Sequence, residues 1–133
     1  MEEASLDVIV EVQSTEDSFK VKASVYKVFG DLNLKENLVE GKLMLVGKAV
    51  GLDGLSSFRS LIRKERIRGA ARSVFFKGLR GNILRFYLNK QVAYVGHISF
   101  SEPTGESPLG PIMVEIRSEN PRDLIDWLTE YQK

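Results

Sequence analysis

Cysteine is absent from the chain, and histidine and tryptophan each occur once. Without cysteine there are no disulfides and no thiolate metal sites, which agrees with a reducing compartment. The lone His97 has no second histidine to complete a zinc site, and no serine motif stands near it around which a triad could be built. Long apolar runs are missing too: none approaches the ~20 residues of a membrane helix. The opening "MEEASLDVIVEV" is acidic and enters a strand pattern at once, without the basic start and apolar stretch of a signal peptide. A cytoplasmic location without membrane contact is expected. The glycine-rich stretches "GKAVGLDG" and "GLRGN" match neither the phosphate loop nor the dinucleotide fingerprint. Carboxylate pairs such as Glu102 with Glu106 fall on an irregular loop where water keeps their acidity ordinary, so acid-base catalysis has nothing specific to rest on. The expectation is a non-enzyme with no cofactor, no metal and no small-molecule substrate.

What is present is ordinary globular sequence with one unusual charge distribution. At 133 residues, 43% hydrophobic and 28% charged, the chain fits a single domain around one core. Its net charge of +1 conceals a central segment, residues 59–90, with ten Lys/Arg against the single acid Glu65. That segment carries +9, and the two flanks carry −4 each (six basic against ten acidic residues before it, three against seven after it). The middle of the chain is therefore the electrostatic feature.

"LDVIVEVQ" alternates, with Leu6, Val8, Val10 and Val12 on one face, as in a half-buried strand. "STED" follows, where Ser14 and Asp17 have capping-box spacing, and Val21, Val25, Val28 and Phe29 then recur at helical spacing with Phe19 and Tyr26 beside them. "KLMLVGKAV" is apolar on both faces and reads as a strand covered from two sides. "GLDGLSSF" begins a helix with Asp53 or Ser56 as caps and Leu55, Phe58, Leu61 and Ile62 as its stripe. A second helix restarts out of phase with Ile67, Ala70, Ala71, Val74 and Phe75, broken from the first at Gly69 and ended by Gly78 or Gly81. "NILRFYL" and "VAYVGHISF" read as a hairpin whose three-residue loop, Asn89 to Gln91, would align Leu88 with Val92. "NPRDLIDWL" opens a last helix, with Asn120 as cap, Pro121 at its first position, and Leu124, Leu128 and Tyr131 on one face with Trp127 bordering it.

The stretch "SPLGPI", Ser107 to Ile112, sets two prolines and a glycine at the mouth of the last strand, "PIMVEI". Proline cannot donate a ladder hydrogen bond, so Pro111 fits the first position of a strand or an edge. Two readings stay open: a rigid crossover into an edge strand, or a stiff loop displayed for a partner.

Arg59, Arg63, Arg66, Arg68 and Arg72 flank the apolar stripes of the two central helices and are the candidate nucleic-acid-binding residues. They read either as solvated flanks whose methylenes cover core edges or as a phosphate-binding ridge. The order helix, three strands, helix from Ile67 to Tyr131 is also that of a double-stranded RNA-binding domain. That domain opens its last helix with lysines, whereas this one has one arginine and two acids, and "KGLRGNILRFYL" lacks the alternating aromatics of an RNA-recognition strand.

"NKQVAYVGHISF" and "SPLGPIMVEI", with "RIRGAARSVFFKGLRGN" before them and "NPRDLIDWL" after, resemble a conserved archaeal family sometimes labelled a predicted exosome subunit or RNA-binding protein. The likeness spans nearly the whole chain; Gly69 departs from it, standing where an acidic residue is expected. The resemblance implies a fold similar to the ribosomal protein that binds 5S ribosomal RNA and a homodimer, and it implies no catalytic residues. The expected architecture is one α+β domain over 1–133 with a mixed sheet in the order β-α-β-α-α-β-β-β-α. The two-faced "KLMLVGKAV" and Phe76, opposite its helix stripe, also point to a second copy as partner. Two readings of function stay open: weak binding of structured RNA, without sequence preference, through the basic helical segment, or a homodimeric protein-interaction module with no RNA-binding role.

Overall fold

The computed structural model describes residues 4–103 and 109–131. Among them the chain forms β1 (Ala4–Val12), α1 (Ser18–Phe29), β2 (Lys35–Val39), β3 (Lys42–Val50), α2 (Asp53–Lys64), α3 (Arg68–Lys77), β4 (Leu79–Arg80), β5 (Ile83–Asn89), α4 (Lys90–Tyr94), β6 (Phe100–Ser101), β7 (Pro111–Ser118) and α5 (Pro121–Leu128). The strands make one sheet in the order β2-β3-β1-β7-β5-β4, with β6 also on β5. This is the expected α+β class, and the expected order is retained with β2, β4 and α4 added to it.

Alternation along β1 works as the pattern predicts. Leu6, Val8, Val10 and Val12 are buried, and the register carries their face across the sheet. Val8 stands between Gly47 and Val114, which in turn faces Phe86, and Val10 stands between Leu45 and Ile112, which faces Leu88. Gly47 lets the loop before β2 pack close on that row: a Cβ there would lie 2.7 Å from the end of the Leu34 side chain and 3.0 Å from Leu32 Cβ. The helices cover this face. Phe58 of α2 sits at the centre, its ring 5.0 Å from Phe29, 6.1 Å from Phe75 and stacked on Phe86 at 5.5 Å. A ring so enclosed contributes on the order of 2–3 kcal/mol through burial alone.

The sheet is antiparallel at every pairing rather than mixed. The cause is β2, which the sequence pattern hides: β1, a helix and β3 alone would make a parallel crossover, and one extra strand reverses β3. β2 and β3 join through Glu40 (φ 51°) and Gly41 (φ 79°), a two-residue hairpin turn with both residues left-handed. β3 is correspondingly not covered on two sides. Leu45 and Gly47 face the helices, while Met44 and Val46 lie half-buried on the open face.

Other departures are local. Asp17 is itself the cap of α1, accepting from Phe19 N at 2.9 Å, in place of the Ser14–Asp17 box. Neither Asp53 nor Ser56 caps α2; the cap is Leu52, whose carbonyl accepts from Ser56 Oγ at 3.2 Å. The break between α2 and α3 falls at Arg66, which is left-handed (φ 58°), and Gly69 is inside α3. Gly78 ends α3 as expected, and a Cβ there would lie 2.1 Å from the Arg85 carbonyl of β5, so helix and strand meet backbone to backbone. The hairpin after β5 does not form as expected. Asn89 accepts from Val92 N at 2.9 Å and starts the short α4, so Leu88 pairs with Phe100 and not with Val92. Asn120 stands at the N-cap of α5 without a side-chain bond, and Tyr131 is 49% exposed and not part of its buried face.

Ser107, Pro108 and Glu106 lie outside the described residues. The rest of "SPLGPI" answers the question it raises in part. Pro111 does take the first position of β7, facing Asn89, but β7 is an interior strand between β1 and β5 and not an edge. β1 pairs with β7 only from Ile112 on, so the missing N–H leaves no gap in the ladder. Just before it, the Leu109 carbonyl accepts from Lys90 Nζ at 2.8 Å. The same ammonium donates to Glu11 O at 2.8 Å and Glu16 Oε1 at 2.9 Å. A lysine with all three protons engaged and a carboxylate beside it is a satisfied buried cation, here joining the end of β1, "STED", "NKQ" and the loop into β7.

Candidate nucleic-acid interface

The arginines stand where α2, α3 and α5 meet. Arg59 and Arg63 lie one turn apart on α2, Arg68 and Arg72 one turn apart on α3, and Arg66 on the turn between the helices. Two carboxylates from the end of the chain face them. Glu130 accepts from Arg63 at 2.8 Å and Arg68 at 3.2 Å, and lies 3.4 Å from Arg59. Asp126 accepts from Arg72 at 2.7 Å. Asp126 and Glu130 are four residues apart, so α5 and its last turn present both acids to the arginines together.

Rings complete the arrangement. Arg59 Nε donates to the Trp127 carbonyl at 2.8 Å, and its guanidinium lies 4.9 Å from the Trp127 ring. Arg72 sits 3.8 Å from the Tyr131 ring centroid and 4.9 Å from that of Phe76, with Arg122 on Phe76 at 5.5 Å. Such contacts contribute roughly 0.5–2 kcal/mol each as desolvation increases. Phe76 is therefore covered by two arginines of its own chain, which removes it as a sign of a second copy. Arg59, Arg68, Asp126, Trp127, Glu130 and Tyr131 line a shallow cleft over this junction.

The five candidates thus divide. Arg59 and Arg72 are half-buried and hold α5 to α2 and α3, while Arg63 and Arg68 are about half exposed although paired. Arg66 is exposed and makes no ion pair among the described residues. Five guanidinium groups against two carboxylates leave a local charge of +3 (5 − 2). Elsewhere in the basic segment Arg85 pairs with Glu115 at 2.7 Å, and that hydrogen bond and charge hold its guanidinium above the ordinary range. Among the described residues, six of the segment's ten cations, Arg59, Arg63, Arg68, Arg72, Arg85 and Lys90, are in ion pairs, so the count of +9 overstates the field offered to a ligand.

The sequence pattern missed Asp126 and Glu130 as partners, although their spacing on the last helix is visible. It also set Phe19 and Tyr26 beside the stripe of α1 without a role. Both rings are exposed, Phe19 at 77%.

The sequence model of a family described as RNA binding matches residues 5–118, which include all five arginines and stop short of α5. The chain belongs to this RNA-binding family. Members of its archaeal group are similar over most of their length. A UPF0201 protein of Sulfurisphaera tokodaii is 46% identical over 120 residues, 90% of this chain and 83% of the relative. One from Pyrobaculum islandicum is 40% identical over 92% and 87% of the two chains. The crystal structure of a UPF0201 protein from Methanococcus jannaschii superposes with a TM-score of 0.83 at 30% identity, covering 94% of this chain and 98% of that one. Among the described residues, no helix of this RNA-binding family member is long and apolar enough to cross a membrane.

Proposed function

We propose that the chain is a non-catalytic cytoplasmic protein that binds the backbone of structured RNA, weakly and without sequence preference, through the junction of α2 and α3. The observation that carries this reading is the exposed subset of arginines. Arg63, Arg66 and Arg68 lie within ten residues of one another, exposed, around a turn whose local charge is positive. Guanidinium groups that exchange a carboxylate for a phosphate keep the same fork geometry. Arg59 and Arg72 support the junction from beneath. The family description points to the same ligand class. Three neutralised phosphates imply that affinity falls roughly twenty- to forty-fold between ~50 and ~200 mM salt. The test is a titration of a structured RNA at low salt with the native protein and an Arg63→Gln, Arg66→Gln, Arg68→Gln variant. Binding by the native chain that the variant loses supports the reading; equal binding by both, or none by either, removes this junction as the site.

A second reading, pairing of two copies, rests on the open face of the sheet. There Val46, Ile9, Met113 and Tyr87 form one half-buried cross-strand row, beside a row of Lys48, Asp7, Glu115 and Arg85. A two-fold copy could cover the apolar row. Sedimentation of the native chain as a monomer at micromolar concentration would sink this reading.

A further inference from the structure

The outer face of α1 sets exposed rings among cations. Its sequence, "SFKVKASVYKVF", holds three lysines and no acid. Val21, Ser24, Val25, Val28 and Phe29 point inward. Phe19 and Tyr26 point outward, seven residues apart, which places them on one strip about 10 Å from each other along the axis. Phe19 is 77% exposed and Tyr26 40%, and α4 adds Tyr94, 38% exposed, at the side. A phenylalanine ring left almost wholly in water forfeits roughly 2 kcal/mol of burial, and no contact in the fold requires it there.

Cations border these rings. Lys22 Nζ lies 5.7 Å from the Phe19 ring centroid, and Lys27 Nζ lies 4.6 Å from the Tyr94 ring while donating to the Tyr94 carbonyl. Lys22 is paired with Glu36 at 2.9 Å. Lys20 and Lys27 make no ion pair among the described residues. Exposed π-faces interleaved with unneutralised ammonium groups suit a chain of unpaired bases joined by phosphates, since every base offers a face to stack and every step a charge to meet. A duplex keeps its bases stacked inside and would leave the rings unused. An apolar protein surface would leave Lys20 and Lys27 desolvated without partners.

We propose that the outer face of α1, with Tyr94, is a platform for single-stranded RNA, on which Phe19, Tyr26 and Tyr94 stack bases while Lys20 and Lys27 meet the backbone. This rests on the reading of the chain as RNA-binding, and adds to it a second surface and a second form of the ligand.

The test measures binding of a short oligouridylate and of an RNA duplex at ~50 mM salt by the native protein, by a Phe19→Ala, Tyr26→Ala double variant, and by the three-arginine glutamine variant. Both rings are exposed, so the double variant keeps its fold, which an unchanged melting temperature verifies. Each ring lost weakens the oligouridylate roughly ten-fold, with duplex affinity unchanged, and Phe19→Trp with Tyr26→Trp retains native binding. Oligouridylate binding that the double variant does not weaken, beside duplex binding that the arginine variant loses, overturns the platform and leaves the proposed function standing. A native chain that binds neither RNA overturns both. A native dimer that the double variant converts to monomer, without any effect on RNA, makes this face a contact between copies and overturns the platform.

Discussion

On one side of α2, Arg59, Arg63, Arg68 and Arg72 reach the carboxylates of Asp126 and Glu130; on the other, α1 carries Lys20 and, over the Tyr94 ring, Lys27, neither in an ion pair among the described residues. The richer charge belongs to the first surface, and most of it is used to hold α5 in place. The second has fewer cations and leaves them available. Charge available to a ligand is what remains after the fold has taken its share, and guanidinium, with its fork and its affinity for rings, is the group a fold takes most readily.

Four substitutions sharpen this contrast. Phe58→Ala should have the largest effect, a loss of about 3–5 kcal/mol in chemical unfolding, because that ring touches Phe29 of α1 and Phe75 of α3 and so supports both surfaces at once. Arg72→Ala should cost about 1–2 kcal/mol, since it removes a half-buried guanidinium from Asp126 and the Tyr131 ring. A cost near zero would mean that the arginine surface is not structural. Glu130→Gln removes the carboxylate that three arginines share, raising the local charge from +3 to +4. Its duplex affinity should then fall roughly three-fold more steeply than the native between ~50 and ~200 mM salt, measured by anisotropy titration. Phe19→Ala should change stability least, by less than about 0.5 kcal/mol in thermal melting; a larger loss would make that ring part of the core.

Much of the fold was legible because it follows local periodicity. Leu6, Val8, Val10 and Val12, Val21, Val25, Val28 and Phe29, and Leu55, Phe58 and Ile62 are buried where their spacing places them. What escaped depends on the partners of a segment and not on its own pattern. β2, "KENLV", is exposed along its whole length and shows no apolar face, yet it decides the direction of β3 and hence of the entire sheet. "VAYVGHISF" has the composition of a strand, but Asn89 caps a helical turn there before the ladder can form. In the same way the arginine ridge was visible as charge, while its neutralisation by carboxylates 54 to 71 positions later in the chain was not.

The central claim is that the exposed arginines, and not the number of arginines, set the affinity for RNA. The slope of log affinity against log salt for an RNA duplex measures it directly. Contacts through Arg63, Arg66 and Arg68 predict a slope of about −2.7. A slope of about −4.5, as five free arginines would give, or binding without salt dependence, would contradict the account.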